Sequence, residues 1–311
     1  MNSKKVFSGF LWRFAERCGA QSVAFIVSIV LARLLDPDTY GTIALITVFI
    51  TILNVFVDSG MGNALIQKKT ADELDFSTVF YFNIFSCSIL YLVIFITAPL
   101  IAEFYNRQEL IPLVRVLSLT VVISGVKNIQ QAYVSCHMLF KKFFFSTLAG
   151  TIGAAIIGIA MAYLGFGVWA LVAQQLFNTL VDTVVLWSTV EWKPIKKFSF
   201  ERLKQLFDFG WKLLVSSLIN TLYSNIRSLI IGKKYSASDL AYYNQGNKFP
   251  NVIITNVNNS IDSVLLPAMA SEQDNTERVK SMTRRSIKMS TYIIAPLMMG
   301  LVFVATPLVR L

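Results

Sequence analysis

A chain of 311 residues that is 55% hydrophobic and 15% charged, with a mean hydropathy of +0.59, lacks the polar surface that a soluble domain of this size needs. Its net charge of +10 does not point to nucleic acid, because the basic residues alternate between successive connections of an apolar chain. The sequence shows neither the alternating segments of roughly ten residues that mark a transmembrane β-barrel nor a phosphate loop, HExxH pair, zinc-ligand pair or nucleophile elbow, so neither a barrel nor an enzyme is expected.

In chain order, apolar stretches fall at Trp12–Leu31, Ile43–Val57, Val79–Leu100, Val114–Val134, Phe143–Leu164 and Val168–Val190, then at about 211–232, 250–270 and 287–308. A helical bilayer crossing takes about 20 apolar residues, and these lengths predict an all-α polytopic membrane protein with nine spans. The eighth is the most polar, since NVIITNVNNSIDSVLLP carries asparagines and an aspartate. Asp36-Pro37 breaks the chain after the first span, and Gly165 with Gly167 predicts a tight turn after the fifth. The first stretch follows Lys4, Lys5, Arg13 and Arg17 with no small-residue cleavage pattern behind it, so it reads as a span rather than a removed leader.

Charge sets the expected orientation. Lys4, Lys5, Arg13 and Arg17, then Lys68 and Lys69, then Lys141 and Lys142 fall on one side. The same side takes the basic run from Lys193 to Lys212 and the cluster from Arg278 to Lys288. The other side holds Arg33, Arg107, Arg115, Lys233, Lys234 and Lys248. Short loops rich in Lys and Arg stay cytoplasmic, which predicts a cytoplasmic N-terminus and basic contacts with membrane lipids.

Three segments follow: a six-helix bundle over 1–190, an amphipathic basic cytoplasmic linker helix over 191–210, and the first three helices of a second bundle over 211–311. In the linker, Phe200, Leu203, Leu206, Phe207 and Gly210 recur at helical spacing opposite charged positions. A weak internal repeat of about 200 residues supports the division: Trp12 and Trp211 each open a span, and Asp38, Thr39 and Tyr40 align with Ser238, Asp239 and Leu240 in equivalent turns. A second bundle equal to the first needs three more spans, so the sequence is expected to be a C-terminally truncated piece of a longer protein. Cys18, Cys87 and Cys136 have no metal-ligand spacing, and His137 reads as a solvated residue at headgroup level.

Polar residues inside apolar spans are costly and are therefore the candidates for function. Arg13, Arg17 and Gln21 share a face of span one beside Glu16; a line of cations there suits a diphosphate or other anionic headgroup, or else anchors the helix end. Asn54 and Asp58 lie a turn apart at the end of span two, where Asp58 serves proton coupling, a counter-charge to Arg17, or simple capping. Span four carries Lys127, Asn128, Gln130 and Gln131 as a dense polar stripe. On span six, Gln174, Asn178 and Asp182 repeat at four-residue spacing, either lining a cavity or bonding a neighbouring helix. Asn220, Ser224 and Arg227 repeat the pattern on span seven, and Asn256, Asn259 and Asp262 follow on span eight.

The fragments ARLLDPDTYGTIAL, FVDSGMGNALIQKK, WKPIKKFSFERLKQLFDFGWKLLVSSLIN and SVLLPAMASEQDNTERVKSMTRRS, in that order and spacing, resemble the polysaccharide flippases of the multidrug/oligosaccharidyl-lipid/polysaccharide exporter superfamily, in the branch of O-antigen, colanic acid and teichuronic acid exporters. The resemblance implies two six-helix bundles in a MATE-like V around a central cavity, in the bacterial inner membrane. It implies movement of undecaprenyl-diphosphate-linked oligosaccharide to the outer leaflet, with coupling to a proton or sodium gradient in some relatives and no other cofactor. A polysaccharide polymerase and a chain-length regulator are the protein partners it suggests. By position, Arg17 and Arg227 match the basic cavity residues, followed by Lys127, with Gln174, Asn178 and Asn220 around them. Asp58, Asp182 and Asp262 are the coupling candidates. The chain departs from the family pattern by having nine expected spans rather than twelve.

Three other readings compete. A drug or cation antiporter of the same superfamily would favour an acidic cavity. A membrane glycosyltransferase or polymerase would show a long external loop, and the loops here are short. A non-transporting scaffold of a polysaccharide assembly complex is the third.

Overall fold

A computed structural model describes residues 3–58, 61–67, 71–137, 139–271 and 276–310. The described residues are helical almost throughout: α1 (Ser3–Leu34), α2 (Pro37–Asp58), α3 (Met61–Gln67), α4 (Glu73–Tyr105), α5 (Leu110–Leu117), α6 (Leu119–Cys136), α7 (Phe140–Tyr163), α8 (Val168–Thr189), α9 (Phe200–Lys234), α10 (Ala237–Ser271) and α11 (Thr276–Arg310). Among the described residues, six segments are long and apolar enough to cross a membrane: Pro37–Val57, Glu73–Tyr105, Leu110–Cys136, Lys141–Tyr163, Val168–Thr189 and Glu277–Pro307. The first, seventh and eighth expected spans fall on α1, α9 and α10, which are helical but carry more polar residues.

Local sequence explains where the helices stop. α4 opens with a capping box, in which the Asp72 side chain accepts from the Asp75 backbone N–H while the Asp75 carboxylate accepts from the Asp72 N–H. It closes on Asn106 in the left-handed region at φ 55°, a conformation that asparagine tolerates better than most residues. Gly165 and Gly167, at φ 79° and 54°, make the tight turn between α7 and α8 that their sequence predicts. Span four is broken at the buried Ser118 into α5 and α6.

The expected linker takes a different form. Residues 190–199 are not helical and run as an extended strap, after which α9 continues from Phe200 to Lys234 without interruption. Pro194 explains the strap, since proline lacks an N–H and pushes the residue before it out of the α region. Ser199 then caps α9 by accepting from the Arg202 N–H.

The chain forms two compact units, Met1–Ala241 and Tyr242–Leu311. In the first, α7 packs along α8 and α1, α6 packs on α4 and α8, and α9 lies against α2, α3 and α4. Its buried apolar residues form two clusters at opposite ends. One gathers Leu31, Ile46, Ala98, Leu113 and Leu171 near the α1–α2 turn. The other gathers Leu65, Phe76, Val79, Ile129, Leu186 and Trp192 at the end that carries Lys141, Lys142 and Lys193, termed here the basic end. In the second unit, α11 contains Pro296 and Pro307, and Ser290 donates to Asn258 Oδ1 at 2.8 Å between α11 and α10.

Candidate functional site

Between the two apolar clusters, the helices of the first unit turn polar together. On α4 the change falls at Asn83, on α6 at Lys127 and Asn128, on α7 at Ser146 and Thr147, on α8 between Gln174 and Thr183, and on α1 at Glu16. The result is a polar layer at mid-depth in a bundle that is otherwise apolar. Burial there without compensation is costly, and the side chains answer each other across helices. Lys127 Nζ donates to Asp182 Oδ2 at 3.0 Å, with the two side chains 17% and 13% exposed. Asn83 Nδ2 donates to Asn128 Oδ1 at 3.4 Å, and Thr147 donates to Glu16 Oε1 at 3.2 Å.

Small residues make the layer possible. A Cβ at Gly150 would stand 2.9 Å from Asn178 Oδ1 and 3.4 Å from Asp182 Cβ, so α7 approaches the polar face of α8 only because it presents glycine there. The pairing is incomplete in one place: Asp182 Oδ1 is buried without a hydrogen-bond partner among the described residues. Chemically, the layer offers an ammonium, a half-paired carboxylate and several amides, able to exchange partners with an anionic or hydroxyl-rich ligand.

The structure brings some of the sequence candidates together and separates others. Lys127 and Asp182, assigned different roles by sequence, are partners. Gln174 is half-buried and Asn178 exposed, both on α8. Arg227 and Asn220 are exposed on α9. Arg17 lies on α1, Asp58 ends α2 and Asp262 lies on α10, and the side chains of all three are outside the described residues.

Sequence reasoning missed two features. Asn83 was overlooked; a lone asparagine within FYFNIFSCS is its signal. The second is a clamp at the basic end. Arg202 donates to Asp72 Oδ2 at 2.7 Å and to the fully buried Asp75 at 3.1 Å. Burial pushes the Asp72 carboxyl up, but the Asp75 backbone N–H and the Arg202 guanidinium outweigh it and hold the group below the usual carboxylate range. Beside the clamp, Ile195 N donates to Ser77 Oγ at 3.0 Å, Ser199 N to Thr78 Oγ1 at 3.2 Å, and Gln130 Nε2 to Trp192 O at 3.1 Å, pinning the strap across the start of α4 and the end of α6. The spacing DxxD three residues apart at the start of a helix is the signal for the clamp's acidic half.

The model of the family described as "Polysaccharide biosynthesis protein" matches residues 30–311. The chain belongs to this family. Among curated relatives, the chain is 25% identical over 308 residues to the succinoglycan biosynthesis transport protein ExoT of Rhizobium meliloti, covering 99% of the chain and 62% of ExoT. It is 29% identical over 267 residues to the teichuronic acid biosynthesis protein TuaB of Bacillus subtilis, covering 83% of the chain and 53% of TuaB. With the lipopolysaccharide biosynthesis protein WzxC of Escherichia coli, identity is 25% and coverage 99% and 63%. The chain thus spans less than two thirds of the length of these relatives. Two solved structures share the fold, each at a TM-score of 0.69. One is an inward-facing multidrug resistance MATE transporter of the MOP superfamily, at 18% identity over 96% of this chain and 74% of that one. The other is the lipid II flippase MurJ in an inward closed conformation, at 14% identity over 99% and 67%. This member of the polysaccharide biosynthesis family is a multi-pass α-helical membrane protein with the fold of those transporters.

Proposed function

We propose that this protein moves an undecaprenyl-diphosphate-linked oligosaccharide from the cytoplasmic to the outer leaflet of a bacterial inner membrane, by alternating access and without covalent chemistry. The observation that carries the reading is the mid-depth polar layer, with its Lys127–Asp182 pair, in a chain of the polysaccharide biosynthesis family. A phosphate-bearing headgroup cannot cross hydrocarbon unaccompanied, because burying its charge unpaired is prohibitive. Lys127, Arg17 and Arg227 supply cations for the diphosphate, while Gln174, Asn178 and Asn220 supply amides for sugar hydroxyls. The polyprenyl tail stays in lipid.

Asp58, Asp182 and Asp262 are the carboxylates available for coupling to a proton or sodium gradient. In this reading the basic end faces the cytoplasm, and a polymerase and chain-length regulator take the product onward. The organisation proposed for the intact protein is a six-helix bundle over 1–190 followed by a second bundle that begins with the helices of 211–311.

The test is transport in vesicles. The reconstituted protein is given a fluorescent undecaprenyl-diphosphate oligosaccharide, and its movement between leaflets is followed by external quenching, beside Lys127→Ala, Arg17→Ala and Arg227→Ala. Protein-dependent movement that falls in the variants is expected. A folded protein that moves no glycan lipid under any imposed gradient but exports a cationic dye overturns the proposal in favour of drug export, and one that moves neither leaves the scaffold reading.

A further inference from the structure

The strap and the first turns of α9 present a surface that packing in the first unit does not use. Leu206 is buried in the basic-end cluster, Leu203 packs against it, and Gly210 is buried. Phe200 and Phe207, which the sequence groups with these residues on one apolar face, point outward at 80% and 49% exposure. With Lys204 and with Trp211 at 43%, they follow the spacing i, i+4, i+7, i+11, which is one stripe about 16 Å long on an α-helix.

Just before the stripe, the strap exposes Lys196, Lys197 and Phe198, and Phe198 meets Phe200 edge to face at 4.9 Å. The three lysines make no ion pair among the described residues. Glu201 and Asp208 lie roughly 90° and 70° round the helix from the centre of the stripe, three residues before and four after Lys204, and neither forms an ion pair with it. The strap that carries part of this surface is fastened to the bundle by Ser77, Thr78 and Gln130, next to the Arg202 clamp.

Its level along the bundle is also set. At the same end, Lys141 stands over the Trp12 ring at 5.6 Å and Lys193 over the Trp187 ring at 4.9 Å, and tryptophan at helix ends is the residue type enriched at the boundary between headgroups and hydrocarbon. Exposed phenylalanines beside unpaired lysines at that level match an anionic interface in both parts: rings for the acyl boundary and ammonium groups for the phosphates.

We propose that residues 196–211 form a binding surface for anionic phospholipid headgroups, in which Lys196, Lys197 and Lys204 hold the phosphates and Phe198, Phe200 and Phe207 enter the acyl boundary. The assignment is independent of transport and holds whether or not the protein moves a glycan.

The test is native mass spectrometry of the full chain purified in detergent with equal parts phosphatidylglycerol and phosphatidylcholine. The wild type is expected to retain phosphatidylglycerol selectively. The Lys196→Gln/Lys197→Gln/Lys204→Gln variant is expected to lose that selectivity, on the order of five-fold in affinity for each lysine removed. Lys234→Gln, which removes an exposed lysine at the other end of α9, keeps it. The arginine counterpart Lys196→Arg/Lys197→Arg/Lys204→Arg also keeps it, which separates charge from any loss of folding. Equal retention of the two lipids by the wild type, or unchanged selectivity in the glutamine variant, overturns the proposal. So does loss of selectivity in the arginine variant at unchanged melting temperature.

Discussion

Removing the Lys127 ammonium would leave Asp182 as a mostly buried carboxylate with neither oxygen paired, since Oδ1 already lacks a partner and Oδ2 is held by Lys127. At 3.0 Å, two unit charges attract by about 5–6 kcal/mol at an effective dielectric near 20. Desolvation of both groups offsets much of this, so the pair itself adds little net stability, whereas breaking it by removing one member costs about 3–5 kcal/mol. Within a bilayer the unfolded reference also finds partners, which favours the lower figure. Lys127→Met is therefore expected to lose about 3 kcal/mol, a fall of roughly 6–12 °C in melting temperature for a domain of this size. Asp182→Leu should behave alike, and the double variant should recover most of the loss, because two apolar side chains of suitable volume replace the pair without stranding a charge. The assay is thermal unfolding of the purified protein followed by size-exclusion chromatography, run as a double-mutant cycle. Additive single losses, with the double variant the least stable of the set, would refute the pairing argument.

Other parts of the structure make similarly direct predictions. Arg202→Ala leaves the fully buried Asp75 without its guanidinium and should release the strap, read as faster amide exchange over 190–199; Arg202→Lys should restore part of the protection. Because the folded Asp72 carboxyl is held below its ordinary value, its contribution is present above the unfolded value of about 3.9 and is lost as pH falls through the folded one. Exchange over the strap should therefore rise on acidification below about pH 4, and Asp72→Asn should remove that dependence. Gly41→Ala drives a methyl group into the Ala237 carbonyl and should cost about 1–3 kcal/mol in melting experiments. Gly150→Val pushes α7 off Asn178 and Asp182, and should lower both stability and any vesicle transport activity.

The helical plan was legible because apolar runs bounded by Asp36-Pro37, Gly165 and Gly167 state where helices cross and turn. The polar stripes were legible too, since Lys127 and Asp182 stand out against apolar neighbours. Their pairing was not. It joins positions 55 apart on α6 and α8, and only the close approach of the α6, α7 and α8 faces decides which polar stripe meets which. The same limit hid the clamp: Arg202 looked like one more cytoplasmic charge until the fold set it against Asp75, 127 residues away. The helix expected over 191–210 begins only at Phe200, because Pro194 disfavours α geometry in the residue before it and the strap is tied instead to Ser77, Thr78 and Gln130.

The 200-residue repeat takes its meaning from punctuation rather than from residues. α1 ends at Leu34 and α9 at Lys234, while α2 begins at Pro37 and α10 at Ala237, the same register at both breaks. The two starts are made by different chemistry. Pro37 occupies the first helical position, where its fixed φ and missing N–H cost nothing. Ahead of Ala237, Ser236 and Asp239 form a reciprocal box: the Ser236 N–H donates to Asp239 Oδ2 and the Asp239 N–H donates to Ser236 Oγ, both at 3.0 Å. The Ser236 hydroxyl also donates to that carboxylate and, with the backbone N–H, holds it below its ordinary range. Residue-by-residue comparison sees little likeness between DPDT and SASD, because one stops a helix with a ring and the other with hydrogen bonds. The two breaks also meet, with Gly41 against Ala237 and Gly232 against Leu45, so a repeat that is faint in sequence is a direct contact between its own two copies in the fold. If that register reflects a shared architecture, Ala237→Pro should keep the helix start, since Pro37 opens α2 at the equivalent position, whereas Asp239→Ala should fray the first turn of α10 by about 1 kcal/mol. Amide exchange at 238–241 distinguishes the two: retained protection in the first variant and lost protection in the second is expected, and the reverse order would mean that the matching breaks are coincidence.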